Sequence, residues 1–260
     1  VVIIDNGNGM TIEEINDKFL RVGYQKRENG EAYSRKYKRP VMGRKGIGKL
    51  SLLSIANKIE IHSKTSGNPG NALQISKKEL EHAIKTNEGD YHPKKLDFVN
   101  FGEDNGTKII ITDFQRNINR TPAFLRPRLA KRFVVNKGIS PFEIYMNETP
   151  ITIDDRSFFK KVEFLWPIGE FDNDVFKKYS DIRFQSNLEA DLEKSPYKIS
   201  GWIATVDKPS DLKTDNDNNN KISIICRGKL AQEDILASYN EGGLYANYLI
   251  GEIHADFLDD

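Results

Sequence analysis

Cysteine is nearly absent: Cys226 stands alone among 260 residues. One thiol excludes an internal disulfide framework and a cysteine-built zinc site, and it fits a reducing cytoplasm. No apolar run approaches the roughly 20 residues of a membrane span, so no membrane partner is expected. The opening Val1-Val2-Ile3-Ile4-Asp5 lacks the basic leader and cleavage site of a signal peptide. It reads as a buried strand, and the chain is expected to begin inside a domain. Neither sign of charge is in excess: 39 Lys and Arg face 38 Asp and Glu. Bulk charge therefore selects no partner, and local clusters must carry that argument. His62, His82, His92 and His254 are far apart and lack metal-ligand spacing. No sequence repeat is found.

What is present suits a globular protein with a sizeable core: 38% hydrophobic and 30% charged residues. The strand Val1–Ile4 ends at Asp5. A helix follows, capped by Thr11 with Glu14 three residues on, and Ile12, Ile15, Phe19 and Val22 share one face. Residues 23–42 are polar, basic and periodless, and read as a mobile loop. Gly43–Gly48 is a tight turn opening a helix over Leu50–Ala56. Ile59–His62 and Lys108–Thr112 are strands, separated by a loop-rich stretch with a charged helix near Lys77–Lys85. Pro122–Val134 reads as a helix whose Arg126, Arg128, Lys131 and Arg132 form a solvated basic face or a DNA-phosphate contact.

Phe142–Met146 alternates like a strand, and Asn147-Glu148 is a hairpin turn before Ile151–Ile153. Beyond about residue 165 the texture changes. Strands are expected over Tyr197–Val206, Ile222–Cys226 and Tyr248–Phe257, and a helix over Gln232–Tyr239. Ser210–Asn220, rich in Asp and Asn, reads as a flexible loop. Trp166 and Trp202 are expected to fill the second domain's core.

Three motifs carry chemistry. Asp5-Asn6-Gly7-Asn8-Gly9-Met10 puts a carboxylate at a strand terminus, followed by glycines that let a flat ring approach the backbone. Adenine offers a matching edge, its exocyclic amine; a plain turn remains the bland reading. Gly43-Arg44-Lys45-Gly46-Ile47-Gly48-Lys49 converges backbone N–H groups and cations on an anion, and reads otherwise as a glycine-rich turn on a basic surface. It almost spells a P-loop, but Leu50 stands where a magnesium-holding Ser or Thr is required. Asn105-Gly106-Thr107, before a strand, could support a base through water and is equally an ordinary turn.

In this order the motifs resemble the GHKL superfamily of ATPases: gyrase, the heat-shock chaperone, histidine kinases and MutL. The look is closest to the MutL, MORC and heat-shock chaperone branches. The matching residues are Asp5, Gly7, Gly9, Met10, Gly43, Gly46, Gly48, Gly106 and Thr107. The resemblance implies an α/β chain: an α+β two-layer sandwich, the Bergerat fold, over 1–165, then a smaller α/β transducer-like domain of ribosomal S5 type over 166–260. It implies ATP with Mg2+ as ligand. Asp5 would bind the adenine amine, Gly9 and Met10 would line the base, Thr107 would support its water, and Gly7 would belong to the same ATP site. Gly43, Lys45, Gly46, Ile47, Gly48 and Lys49 would wrap the phosphates under a lid of residues 23–42.

By the same resemblance the general-base Glu and the Mg-holding Asn belong on a helix upstream of Val1. A basic residue of the second domain would lie beyond Asp260. Catalytic residues are therefore not assigned, and a chain lacking that base, worth roughly two to four orders of magnitude, is expected to hydrolyse little ATP. The expected role is nucleotide-driven lid closure and homodimerisation, with a DNA or protein client. A chaperone-like ATPase and a nucleotide-independent scaffold are the alternatives.

Overall fold

Ile59, Ile61 and Ser63 alternate toward one face of their strand, and Thr107, Ile109 and Ile111 do the same on theirs. β-branched residues at period two are what a half-buried sheet requires, and these two strands form its centre. The computed structural model describes residues 1–41, 46–86, 91–115, 121–133, 142–171, 174, 176–188, 197–214, 217–238 and 243–259. The chain divides into two compact units, Val1–Asn119 and Arg120–Asp260.

The first unit has five antiparallel strands: β1 (Val2–Asp5), β2 (Ala56–Lys64), β3 (Asn71–Ser76), β4 (Lys94–Leu96) and β5 (Gly106–Phe114), in the order β1-β5-β2-β3-β4. Its helices are α1 (Ile12–Glu14), which runs on as a π-helical stretch over Ile15–Leu20, α2 (Ser51–Ile55) and α3 (Lys77–Thr86). Thr11 and Glu14 make the expected reciprocal capping box. Ile15, Ile59, Ile61 and Leu73 form the core, with Met10, Phe19, Leu20, Leu52 and Leu53 packed around it. The helical layer thus covers the sheet face that carries Ile59 and Ile61.

Two expectations for this unit need correction. Val1–Ile4 is an exposed edge strand rather than a buried one, about half accessible at each residue, because β1 pairs only with β5. Ile12 and Val22 are exposed while Ile15 is fully buried, since Ile12 is the first residue of the helical run and Val22 lies beyond its last, Leu20. The described part of the loop over 23–42 makes contacts to its surroundings: Lys18 pairs with Glu31, Arg35 with Glu14 at 3.0 Å, and Arg27 donates to the Val41 carbonyl at 2.8 Å.

The second unit begins with α4 (Thr121–Arg132) and a short hairpin of β6 (Tyr145–Met146) and β7 (Thr149–Pro150). Asn147 and Glu148 turn it at φ of 49° and 64°, the left-handed pair that such a turn demands. Its main strands are β8 (Val162–Ile168), β9 (Arg183–Phe184) and β10 (Ser200–Val206). A second hairpin, β11 (Lys213–Thr214) with β12 (Asp217–Asn218), precedes β13 (Ile222–Cys226), β14 (Lys229–Gln232) and β15 (Leu249–His254). The six-stranded sheet is ordered β14-β13-β15-β10-β8-β9, with β13 and β15 parallel. Phe158, Phe159, Leu165, Phe176 and Trp202 make its core, with ring centroids as close as 4.5 Å; Trp166 is half-buried beside Phe164.

This unit is sheet-rich and the longer of the two, not a smaller α/β domain. Residues 120–165 pack with it, although their texture groups them with the first domain: Phe158, Phe159, Val162 and Leu165 belong to its core. The helix expected over Gln232–Tyr239 is not formed over the described residues 232–238: Gln232 ends β14, a 3-10 turn follows at Leu236–Ser238, and Tyr239 lies outside the described residues. Ser210–Asn220 holds the β11–β12 hairpin and the buried Asn219. The basic face of α4 is not simply solvated, since Arg126 is bound to Asp155 at 2.6 Å.

Candidate functional site

Antiparallel register sets Asp5 directly opposite Thr107, and Thr107 opposite Ser63. Side chains opposite one another share a face, so all three stand at one end of the helix-covered face. Ser63 is the hub. It is fully buried; its hydroxyl accepts from the Met10 N–H at 2.9 Å and donates to the Gly106 carbonyl at 3.1 Å. Thr107 lies 2.9 Å from the same oxygen and, with that proton committed, is the donor between them. One carboxylate oxygen of Asp5 accepts from the Gly7 N–H at 2.8 Å. Its second oxygen can take a donor from a ligand.

The turn after Asp5 runs close to neighbouring backbone. Gly9 has φ +67°, and a Cβ there would sit 1.8 Å from the Lys64 carbonyl, so no larger residue fits. Asn105 donates to the Gly7 carbonyl at 2.7 Å. Lys36 reaches over from residues 23–42: its N–H donates to Asn8 Oδ1 at 3.0 Å, and its ammonium to the Asn6 carbonyl at 2.8 Å and Asn105 Oδ1 at 3.2 Å. Asp5 and Gly7 therefore share one hydrogen-bonded turn, Met10 and Thr107 are joined through Ser63, and the pairing of Asp5 with Thr107 sets the two groups side by side, with Gly9 close against the Lys64 and Gly106 carbonyls.

Gly46, Ile47, Gly48 and Lys49 form a second group, which contacts the end of the helical run Ile12–Leu20 and the residues after it. Gly46 has φ +61°, and a Cβ would meet the Tyr24 carbonyl at 2.3 Å, so this turn is fitted to the backbone of the 23–42 loop. Ile47 is exposed, and Gly48 opens a 3-10 turn that leads into α2. Lys49 is turned inward: its ammonium donates to the carbonyls of Lys18 and Arg21 at 3.2 and 2.5 Å. Burial, then the charge of Lys26, pushes its pKa below the ordinary lysine value. Gly43 and Lys45 lie outside the described residues.

An apolar cavity of about 210 Å3 lies between helices and sheet, lined by Phe19, Leu20, Leu52, Leu53, Ile59, Ile61 and others, with Lys49 at its wall. Asp5 and Thr107 do not line it; Met10, packed on the cluster that includes Ile59 and Ile61, joins their turn to its surroundings. Among the described residues no three His, Cys, Asp or Glu side chains gather as a metal-ligand group, and no helix is long and apolar enough to cross a membrane.

Sequence reasoning missed Ser63 and the contacts of Lys36, and it named Asn105 in its turn without the bond it makes to Gly7. Ser63 had a signal: it continues the period-two series Ile59, Ile61 as a polar side chain at the next core position. Lys36 had none, and the partners of both Lys36 and Asn105 are distant in sequence.

A family model described as histidine kinase-, DNA gyrase B-, and HSP90-like ATPase matches residues 1–107. A protein of Herpetosiphon aurantiacus, provisionally named type II restriction enzyme HgiDII, is 38% identical over 266 aligned residues that cover the whole chain. The chain spans 42% of that curated relative's length.

Proposed function

We propose, from the premise that residues 1–107 belong to the histidine kinase-, DNA gyrase B- and HSP90-like ATPase family, that the first unit binds ATP with Mg2+ as a nucleotide-gated module. The observation that carries this is the cluster in which Asp5 keeps one oxygen for a ligand beside Thr107, Ser63 and the Gly9 turn. A carboxylate oxygen accepts from an exocyclic amine, and the glycine turn leaves room for a ring to lie on backbone. Gly46, Ile47 and Gly48 supply N–H groups for the phosphates. Bound ATP supplies a cleavable anhydride and the charge that loop ordering can answer. Mg2+ would offset part of that charge.

Lys36 and its neighbours already rest on the Asp5–Gly9 turn, so the 23–42 loop is the element that responds to nucleotide. Its reordering favours a homodimer. The relative's name supports a second, compatible step in this reading: the module gates a DNA-processing or defence machine rather than a chaperone cycle.

The test is equilibrium binding of a non-hydrolysable ATP analogue to the chain and to its Asp5→Asn variant. Loss of the carboxylate weakens binding about 10- to 100-fold, the value of one hydrogen bond to a charged group. Equal affinity in the two proteins overturns the assignment. Salt-dependent retention of duplex DNA tests the second step.

A further inference from the structure

Residues 32–41 of the first unit double back as a hairpin. Tyr33 bridges to Pro40, the Val41 N–H donates to the Ala32 carbonyl at 2.9 Å, and the Ser34 N–H donates to the Arg39 carbonyl at 2.8 Å. Lys38 turns the tip at φ 51°, and its N–H donates to the Ser34 carbonyl at 3.0 Å. The segment holds four cations, Arg35, Lys36, Lys38 and Arg39, and no carboxylate.

These charges are held differently from those of the second unit. Three cations around that unit's polar cavity, which Trp202 lines, are each neutralised. Lys131 pairs with Asp217 at 2.8 Å, Lys221 with Glu233 at 2.6 Å and Arg156 with Glu252 at 2.6 Å. In the hairpin, Lys36 gives its ammonium to neutral acceptors, the Asn6 carbonyl and Asn105 Oδ1. Lys38 is exposed and, among the described residues, has no carboxylate within ion-pair distance. Arg35 does pair with Glu14 at 3.0 Å, but its side chain is 66% exposed. A surface pair of that kind is weak and yields to a competing anion. Tyr37 has Lys36 and Arg39 over its ring at 5.0 and 4.6 Å. Tyr33, by contrast, is 61% exposed and has no ring partner among the described residues.

Cations spaced along a finger with no carboxylate between them suit a polymer of phosphates better than one small anion, since a polyanion meets several of them at once. The exposed Tyr33 ring gives a base a face to stack on. An acidic peptide offers the charge without the base. The unit's own balance, 20 Lys and Arg against 15 Asp and Glu over residues 1–119, adds an attractive field.

We propose that the hairpin 32–41 is a contact for single-stranded nucleic acid, its lysines on phosphates and Tyr33 stacked on a base. This rests on the DNA-processing step of the reading above and gives that step a place in the fold. Through Lys36 the same finger lies on the turn that carries Asp5, so a bound strand and a bound nucleotide would share one element.

The test follows binding of a short fluorescein-labelled thymidine oligonucleotide to the full chain, by anisotropy, over a series of chloride concentrations. Saturable, salt-dependent binding is expected. Lys38→Asn, which keeps a residue tolerant of positive φ, should flatten the slope of log affinity against log salt by about 0.7, one single-strand phosphate contact. Tyr33→Ala should weaken binding roughly 5- to 150-fold at unchanged slope, the range for one stacked base, and Tyr33→Phe should restore it. Asp5→Asn, without nucleotide, should bind the oligonucleotide like the parent chain. Salt-dependent binding that neither Lys38→Asn nor Tyr33→Ala alters overturns the hairpin and leaves the DNA-processing reading standing. Absence of binding to both single strand and duplex removes both. Equal affinity for poly-glutamate overturns the proposal in favour of an acidic protein.

Discussion

The two units solve burial with different materials. The first gathers a small aliphatic core, Ile15, Ile59, Ile61 and Leu73, and commits its buried hydroxyls to shaping one turn. The second stacks aromatic rings around Trp202 and buries an ion pair, Arg156 with Glu252, beside them. Their charge differs in the same way: residues 1–119 carry 20 Lys and Arg against 15 Asp and Glu, while residues 120–260 carry an acidic excess. The lesson is that polar groups inside the first unit define a surface for a ligand. Inside the second they hold charges at fixed positions in an apolar setting.

The largest expected effect breaks the second unit alone. Glu252→Ala leaves the Arg156 guanidinium buried without its carboxylate, a loss of about 3–5 kcal/mol. Hydrogen exchange resolved by peptide should show protection falling across residues 120–260 and holding across 1–119. Equal loss in both would erase the distinction. Gly9→Ala strikes the first unit instead. It forces a side chain into a left-handed position against the Lys64 carbonyl, a strain of about 1–3 kcal/mol, and should abolish binding of the ATP analogue. Unchanged urea unfolding in that variant would refute the tightness of the turn.

Acid should separate the units most gently. His62 is buried, accepts from the Val99 N–H through Nδ1, and has its pKa lowered by burial first, despite the counteracting charge of Glu60. A lowered folded pKa means that the unfolded chain binds the proton more readily. Stability is therefore complete above about 6.5, the ordinary histidine value, and declines as pH falls below it. Glu252 behaves likewise in a lower window. Burial would raise its pKa, but the charge of Arg156 and hydrogen bonds from His254 and Arg156 outweigh it and hold the group at about 2. Its contribution is present above about 4.5 and lost as pH falls toward 2. Exchange protection measured against pH should thus fall first in the first unit, and His62→Phe should remove that early decline.

Local chemistry made part of this legible in the sequence. The Thr11–Glu14 cap, the Asp5–Gly9 turn, the Lys108–Thr112 strand and the Asn147-Glu148 hairpin are each specified by adjacent residues, and each stands where its pattern puts it. What failed was set by distant partners. Gln232 is drawn into a strand by β13, and the Asp234 carboxylate then accepts from the Leu236 N–H at 2.8 Å, a side-chain bond that competes with helix. The Asp/Asn-rich stretch is ordered by a lysine some 86 residues away, Lys131 on Asp217. Polarity alone could not separate that from a solvated loop. β8 was hidden by Pro167, which sits beyond the two residues that pair with β9, where a missing N–H costs the sheet little. At the candidate site, the residues of the motifs were read from their neighbours, while Ser63, marked only as a polar side chain in an apolar period-two series, was passed over.

One placement has an optical consequence. Both indoles of the chain, Trp166 and Trp202, belong to the second unit, and Trp202 lines its polar cavity. Intrinsic emission excited at the red edge therefore reports on residues 120–260, and a guest entering that cavity would meet the chromophore directly. The first unit, with tyrosine and phenylalanine but no tryptophan, stays dark at that wavelength, so the protein carries its own colour filter for telling two occupancies apart.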